Sequence, residues 1–216
     1  MDGNNRWSKK EGSSKKEAYI KGAKNLFTLS NHLFTNFNVN LISSFALSSK
    51  NLMRSKSTIS IIVNLLENIL DKLLKKNDFT YGFIFYGNLD FLNKKQIQKI
   101  KKIEEITLHL NQKLIIYINY SGTQEIKNSF NYLFKNKIDN SNKSFEEIIN
   151  PLNIPDPEIL IRTGGFQRIS DFMLYQISFT ELFFTKTLWP DFNKSNLNNL
   201  IEKYKKIDRK FGLQKK

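Results

Sequence analysis

The sequence predicts an α/β fold, with one open and mostly parallel sheet flanked by helices. Three observations carry this expectation. Four short apolar runs are rich in β-branched and aromatic residues: Val39 to Leu47, Gly82 to Tyr86, Lys113 to Ile118 and Glu158 to Arg162. Stretches with apolar residues at helical spacing fall between them, which favours parallel strands joined by crossover helices. The runs also lack a clean inward–outward alternation, as expected for strands buried on both faces.

Taken in order, the N-terminal MDGNNRW opens on Asp2, Gly3 and Asn4, which suit a tight turn leading into a helix. VNLISSFAL (Val39 to Leu47) is the first predicted strand, and Ser57 to Leu74 follows as a helix. GFIFY is the second strand, and Lys94 to Leu110 is the next helix. KLIIYI is the third strand, and Ile126 to Phe134 is again helical. Phe134 to Ser144, an Asn/Lys-rich patch, predicts a surface loop. EILIR is the fourth strand; it runs into Thr163, Gly164 and Gly165, and Ser170 is expected near the start of another helical stretch. Ligands gather at the carboxyl ends of strands in such sheets.

Composition narrows the class. A length of 216 residues suits one domain over 1–216, and 40% hydrophobic content supports a sizeable core. The 18 Phe residues imply an aromatic core or an apolar cavity lined by rings. The absence of Cys excludes disulfides and thiolate metal sites. No apolar run approaches the ~20 residues of a membrane span, and the polar N-terminus does not read as a signal peptide. A net charge of +14 attracts phosphorylated partners, but Lys, Asn, Ile and Phe are also the residues that AT-rich codons favour. No nucleic-acid-binding motif is present, so nucleic acid is not expected as a partner. His32 and His109 lie in predicted helices without a second ligand at metal spacing, which predicts structural or surface roles.

Two segments hold chemistry-bearing residues. In the first, Gly3 would let a phosphate approach the backbone, with Arg6, Lys9, Lys10, Lys15 and Lys16 nearby; an ordinary turn beside a basic terminus is the plainer alternative. In the second, Arg162, Arg168, the Gly-Gly pair and Ser170 are suited to gripping a diphosphate, because guanidinium forks match phosphate oxygens in pairs. A strand and turn with surface arginines is the alternative there.

These segments carry a resemblance. MDGNNRW resembles the cis-prenyltransferase signature MDGNGRW, and PEILIRTGGFQRISDFMLYQISFTELFFTKTLWPDF resembles that family's long C-terminal signature. FALSSKNLMRS and INYSGTQEI are similar to the elements F-S-x-E-N-W-x-R-P and N-Y-G-G-R-x-E-I. Order and spacing fit along nearly the whole chain.

The resemblance implies a Mg²⁺-dependent enzyme that condenses isopentenyl diphosphate onto an allylic diphosphate such as farnesyl diphosphate. The fold it implies contains a deep apolar tunnel, and the usual assembly is a homodimer. Asp2 would position Mg²⁺, and Glu181 would help to hold the ion, often from the partner side of the dimer. Gly3, Asn4, Asn5 and Arg6 would cradle the allylic diphosphate, with Trp7 packed behind them. Lys15 and Tyr19 fall in the same region, where Arg and His are usual. Ser48, Ser49, Lys50, Asn51, Leu52 and Arg54 match the element beside the reacting carbons; Asn51 corresponds to the family's candidate proton acceptor, and an amide is better suited to orienting water or a diphosphate oxygen than to acting as a base. Arg162, Arg168, Ile169 and Ser170 match the isopentenyl diphosphate site. Phe166 stands where the family pattern has Glu. The family also has a strand immediately before the first signature, so the resemblance implies that this first strand is missing from the chain and that the natural start lies upstream. The implied setting is the cytoplasm, with peripheral membrane contact where the product, a lipid-carrier precursor, is delivered. A non-catalytic accessory subunit of the same fold is the main alternative, and such chains tend to lose the Asp/Glu pair that this one keeps; a basic nucleic-acid-binding protein is the lesser one, drawn from the charge of +14 alone.

Overall fold

A computed structural model describes residues 1–76, 78–135 and 144–211. Helices α1 (Asn4–Lys10) and α2 (Lys15–Asn36) precede β1 (Leu41–Ser48). A 3-10 turn over Ser49–Met53 leads into α3 (Lys56–Leu74), β2 (Gly82–Tyr86), α4 (Lys94–Ile106) and β3 (Lys113–Tyr120). Then come α5 (Gly122–Lys135), α6 (Phe145–Ile149), β4 (Ile159–Arg162), β5 (Glu181–Phe184) and α7 (Lys194–Tyr204).

All strand pairs are parallel. β3 lies between β1 and β2, and β4 pairs with β5 in a second, two-stranded sheet. The predicted α/β class with parallel strands is therefore what the chain adopts, with the described strands divided between two sheets rather than gathered in one. β3 is buried almost throughout because both of its faces are covered. Leu114, Ile116 and Ile118 join a core with Leu26, Phe83, Leu70 and Ile103. Ile115, Tyr117 and Tyr120 pack on the other side against Phe172 and Met173. Among the described residues β1 and β4 each keep one edge unpaired, and both strands line the same cleft.

Local sequence explains most boundaries. Ser14 and Glu17 form a reciprocal capping box that starts α2, and Asn93 with Gln96 does the same for α4. The predicted helix over Lys94 to Leu110 ends early, at Ile106, and His109 falls in the following turn. Thr107 Oγ1 bonds the Ile103 carbonyl and accepts from Phe83 N–H, and Lys113 Nζ takes the Thr107 and Leu108 carbonyls. The chain end of α4 is thus satisfied by side chains rather than by another turn.

The helical stretch expected after Ser170 does not form; residues 170–179 are irregular turns. Ser170, Asp171 and Met173 have positive φ (55°, 69° and 49°), which a right-handed helix excludes. Of the predicted loop from Phe134 to Ser144, Phe134 and Lys135 end α5 and Ser144 caps α6, while residues 136–143 lie outside the described ones.

Candidate active site

The N-terminal turn is clamped by residues far along the chain. Thr163, almost fully buried, accepts from Asp2 N–H at 3.0 Å, and its Oγ1 also lies 3.0 Å from the Asp2 carbonyl. That carbonyl accepts from Trp189 N–H at 2.9 Å. Gly3, at φ 109°, turns the chain into α1, where a Cβ would come 2.8 Å from Leu188. Trp7 packs behind the turn: its Nε1 donates to Asp191 at 2.7 Å, and Lys21 lies 4.3 Å over its ring.

The Asp2 side chain points at two guanidiniums. Arg162 Nη2 donates to Oδ2 at 2.9 Å, and Arg6 Nη2 stands 3.3 Å from Oδ1. Burial raises the Asp2 carboxyl, but the hydrogen bond and charge of Arg162, with Arg6 beyond it, outweigh burial and hold it below the usual carboxylate range. Asp2 is therefore ionised at neutral pH. Arg6 is itself anchored through Nη1 to the Gly164 carbonyl at 2.7 Å. Arg162 Nη1 donates to Ser170 Oγ at 2.5 Å and to the Arg168 carbonyl. The two predicted segments thus form one cluster, with Arg162 and Ser170 joined directly.

The third predicted segment faces this cluster from the end of β1. Ser48, Lys50, Asn51 and Arg54 line the same cleft as Asp2, Gly3, Asn4, Asn5, Arg6, Arg168 and Ile169. Tyr19 lines it too and accepts a hydrogen bond from Arg54 Nη1 at 2.9 Å. The remaining residues lie elsewhere. Ser49 does not line the cleft, Leu52 packs on the core, and Lys15 is exposed at the start of α2. Glu181 opens β5 opposite Ile159, whereas Asp2 sits beyond the Arg162–Phe184 end. Three register steps separate those ends, roughly 10 Å of strand, so one chain does not bring Glu181 and Asp2 together.

The sequence reading missed the clamp made by Thr163, a hydroxyl inside the Arg-Thr-Gly-Gly turn that could have been suspected from its neighbours. It also missed Asp171, whose carboxylate takes Ser121 Oγ, Thr123 Oγ1 and Thr123 N–H and ties the Ser170 loop to the start of α5.

The cleft has a volume of about 1170 Å³. It shares Met1, Leu26, Leu47 and Ile62 with a smaller apolar cavity of about 120 Å³ between α2, α3 and the sheet, walled by Phe27, Leu66, Phe85 and Phe91. Arginines at strand ends above a hydrocarbon-lined cavity suit a ligand with an anionic head and an apolar tail.

The fold and site define a class, the prenyltransferases that work on isoprenoid diphosphates. The family model described as "Putative undecaprenyl diphosphate synthase" matches residues 1–212, and the chain belongs to this cis-prenyltransferase family. It is 31% identical to an isoprenyl transferase of Thermotoga maritima over 98% of this chain and 94% of the relative. It is 33% identical to dehydrodolichyl diphosphate synthase 3 of Arabidopsis thaliana over 98% of this chain and 74% of the relative. Its fold matches lavandulyl diphosphate synthase of Lavandula x intermedia, solved with dimethylallyl diphosphate, at TM-score 0.89 and 25% identity over 99% of this chain and 95% of that one.

Proposed function

We propose that this chain condenses isopentenyl diphosphate onto an allylic diphosphate such as farnesyl diphosphate to make a cis-polyprenyl diphosphate, a precursor of a lipid carrier. The observation that carries the reading is the Asp2–Arg6–Arg162 cluster at the mouth of a cleft that adjoins an apolar cavity. Arg162, Arg168 and Ser170 bind the isopentenyl diphosphate group, and Arg6 with Gly3, Asn4 and Asn5 receives the allylic diphosphate. Fixed cations around the departing diphosphate stabilise the charge that develops on it. Asn51, in the 3-10 turn that follows β1, orients the group that accepts the proton. Phe27, Phe85 and Phe91 receive the growing chain and exclude water.

The site chemistry fits Mg²⁺. Asp2 is an ionised carboxylate, 34% exposed on its side chain, and Mg²⁺ binds readily through one or two carboxylates plus phosphate oxygens. Among the described residues no group of three or more acidic or His side chains forms a ready-made metal cage. Mg²⁺ held by Asp2 would neutralise diphosphate charge. Glu181 would join it from a second copy of the chain, which is why we infer a homodimer. Exposed Phe179, Leu182 and Phe211, on and around β5, supply apolar surface for that contact. No described helix is long and apolar enough to cross a membrane; we infer a cytoplasmic enzyme that meets the membrane peripherally to deliver its product.

Incubation of purified protein with labelled isopentenyl diphosphate, farnesyl diphosphate and Mg²⁺ tests the reading. Extracted cis-polyprenyl diphosphates that vanish with EDTA are expected. A folded protein that makes no product would sink it in favour of the accessory-subunit alternative.

A further inference from the structure

Phe166 sits among three cations. The guanidinium carbons of Arg168, Arg6 and Arg162 lie 4.2, 4.8 and 5.6 Å from the centre of its ring. The ring is 40% exposed, so it is not a core residue. Arg6 and Arg162 have other anchors: Arg6 has Gly164 and Asp2, and Arg162 has Asp2, Ser170 and the Arg168 carbonyl. Arg168 differs. Among the described residues its guanidinium has no hydrogen bond or ion pair, and the Phe166 ring is its one partner. Three positive charges thus gather around one ring, while a single carboxylate, Asp2, pairs with only two of them, Arg6 and Arg162. Like charges at this spacing repel, and the negative face of an aromatic ring offsets part of that repulsion without adding an anion that would compete with the ligand.

We propose that Phe166 is a positioning residue that holds Arg168 over the cleft, and steadies Arg6 and Arg162, by cation–π contact. It thereby keeps a surplus of positive charge assembled for a diphosphate. A carboxylate at this position would hold the same arginines by salt bridges but would cancel part of their charge. The ring orders them without occupying any of their N–H donors, so those of Arg168 stay free for phosphate oxygens. The inference rests on the proposed function insofar as the ligand is a diphosphate, and its test separates the two.

Binding of inorganic pyrophosphate to the full chain is measured by calorimetry at low and moderate salt for the natural protein, Phe166→Leu and Phe166→Tyr. Leu keeps the apolar bulk and loses the ring, and losing two close cation–π contacts weakens pyrophosphate binding roughly five- to twentyfold. Tyr keeps the ring face and retains the natural affinity within about twofold, since Tyr also serves in cation–π pairs. In turnover, the Leu variant raises KM for isopentenyl diphosphate and leaves kcat nearly unchanged. Upfield ring-current shifts of the Arg168 side-chain protons, present in the natural protein and absent in Phe166→Leu, confirm the contact itself. Equal pyrophosphate affinity for Phe and Leu would overturn the role of the ring while leaving the diphosphate site intact. No pyrophosphate binding by the natural protein would overturn both this inference and the diphosphate assignment of the site.

Discussion

Gly164 is the position where a single methyl group should do the most damage to the site. Its φ is +87°, and a Cβ there would lie 2.5 Å from Arg6 Nη2, 3.1 Å from the Asp2 carbonyl oxygen and 3.2 Å from its carbon. Gly164→Ala therefore has two separable effects. Holding Ala at this φ costs about 1–3 kcal/mol of backbone strain, which at roughly 2–4 °C per kcal/mol for a chain of this size lowers Tm by several degrees. The Cβ also displaces the Arg6 guanidinium, whose 2.7 Å bond to the Gly164 carbonyl and 3.3 Å approach to Asp2 fix it beside the cleft. A hydrogen bond from a charged donor contributes about 1.5–3 kcal/mol, so kcat/KM should fall roughly 10- to 100-fold through this contact. Gly165→Ala is the matched control. Its φ is +84°, but its Cβ would meet only Lys186, at 3.8 and 4.0 Å, which is ordinary contact. Both variants should lose similar stability, read by thermal unfolding, and only Gly164→Ala should lose most of its activity in the labelled isopentenyl transfer assay. Equal activity losses in the two variants would refute the claim that Gly164 acts by making room for Arg6.

Asp2→Ala should abolish turnover while the far-ultraviolet circular dichroism spectrum stays unchanged, because the turn is held by the backbone of residue 2 rather than by its carboxylate; near-normal turnover would overturn the metal assignment. The lowered pKa of Asp2 has a definite sign. The stability from its pairing is present above the unfolded Asp value of about 3.9 and is lost as pH falls through the lower folded value, so an acid titration of Asp2→Asn should show a flatter decline below about pH 4. Arg162→Ala should chiefly raise KM for isopentenyl diphosphate, and steady-state kinetics with an unchanged KM would remove Arg162 from that role. Thr163→Val keeps shape but strips the Asp2 backbone of its hydroxyl partner; one buried unsatisfied group costs about 1–3 kcal/mol, and a chemical-denaturation midpoint equal to that of the natural protein would show the clamp to be dispensable.

The parts readable from sequence are those where one local rule dominates. Gly82 to Tyr86 is a strand with the expected ends because Gly87, at φ 131°, breaks the extended run. The helix from Ser57 to Leu74 was expected from its apolar spacing and begins only one residue earlier, at Lys56. Arg162 and Ser170 are named from one motif as parts of a single diphosphate site, and the structure places the two side chains in contact. What stayed hidden depends on distant partners. Residues 170–179 have apolar residues at spacings that read as helical, yet Asp171 spends its carboxylate on Ser121 and Thr123, fifty and forty-eight positions away, and the backbone follows with positive φ. β5, only four residues long, gains its identity by pairing with β4 and has little signal of its own. The separation of Glu181 from Asp2 within one chain follows from that register, which no spacing along the sequence encodes.

The clamp on the N-terminal turn has a consequence for how the molecule comes into being. Asp2 is fastened to Thr163, Arg6 to Gly164 and Trp7 to Asp191, across sequence separations of 161, 158 and 184 residues. The first signature is thus organised by residues made long after it. On a ribosome adding about 5–20 residues per second, the turn waits roughly ten to forty seconds for its partners, exposed and unable to bind. Loop closure over such distances is slow, so the site should be among the final parts of the molecule to form. Ligand binding would then report that folding has finished, and a chain interrupted anywhere before Asp191 would carry its first signature without the means to use it.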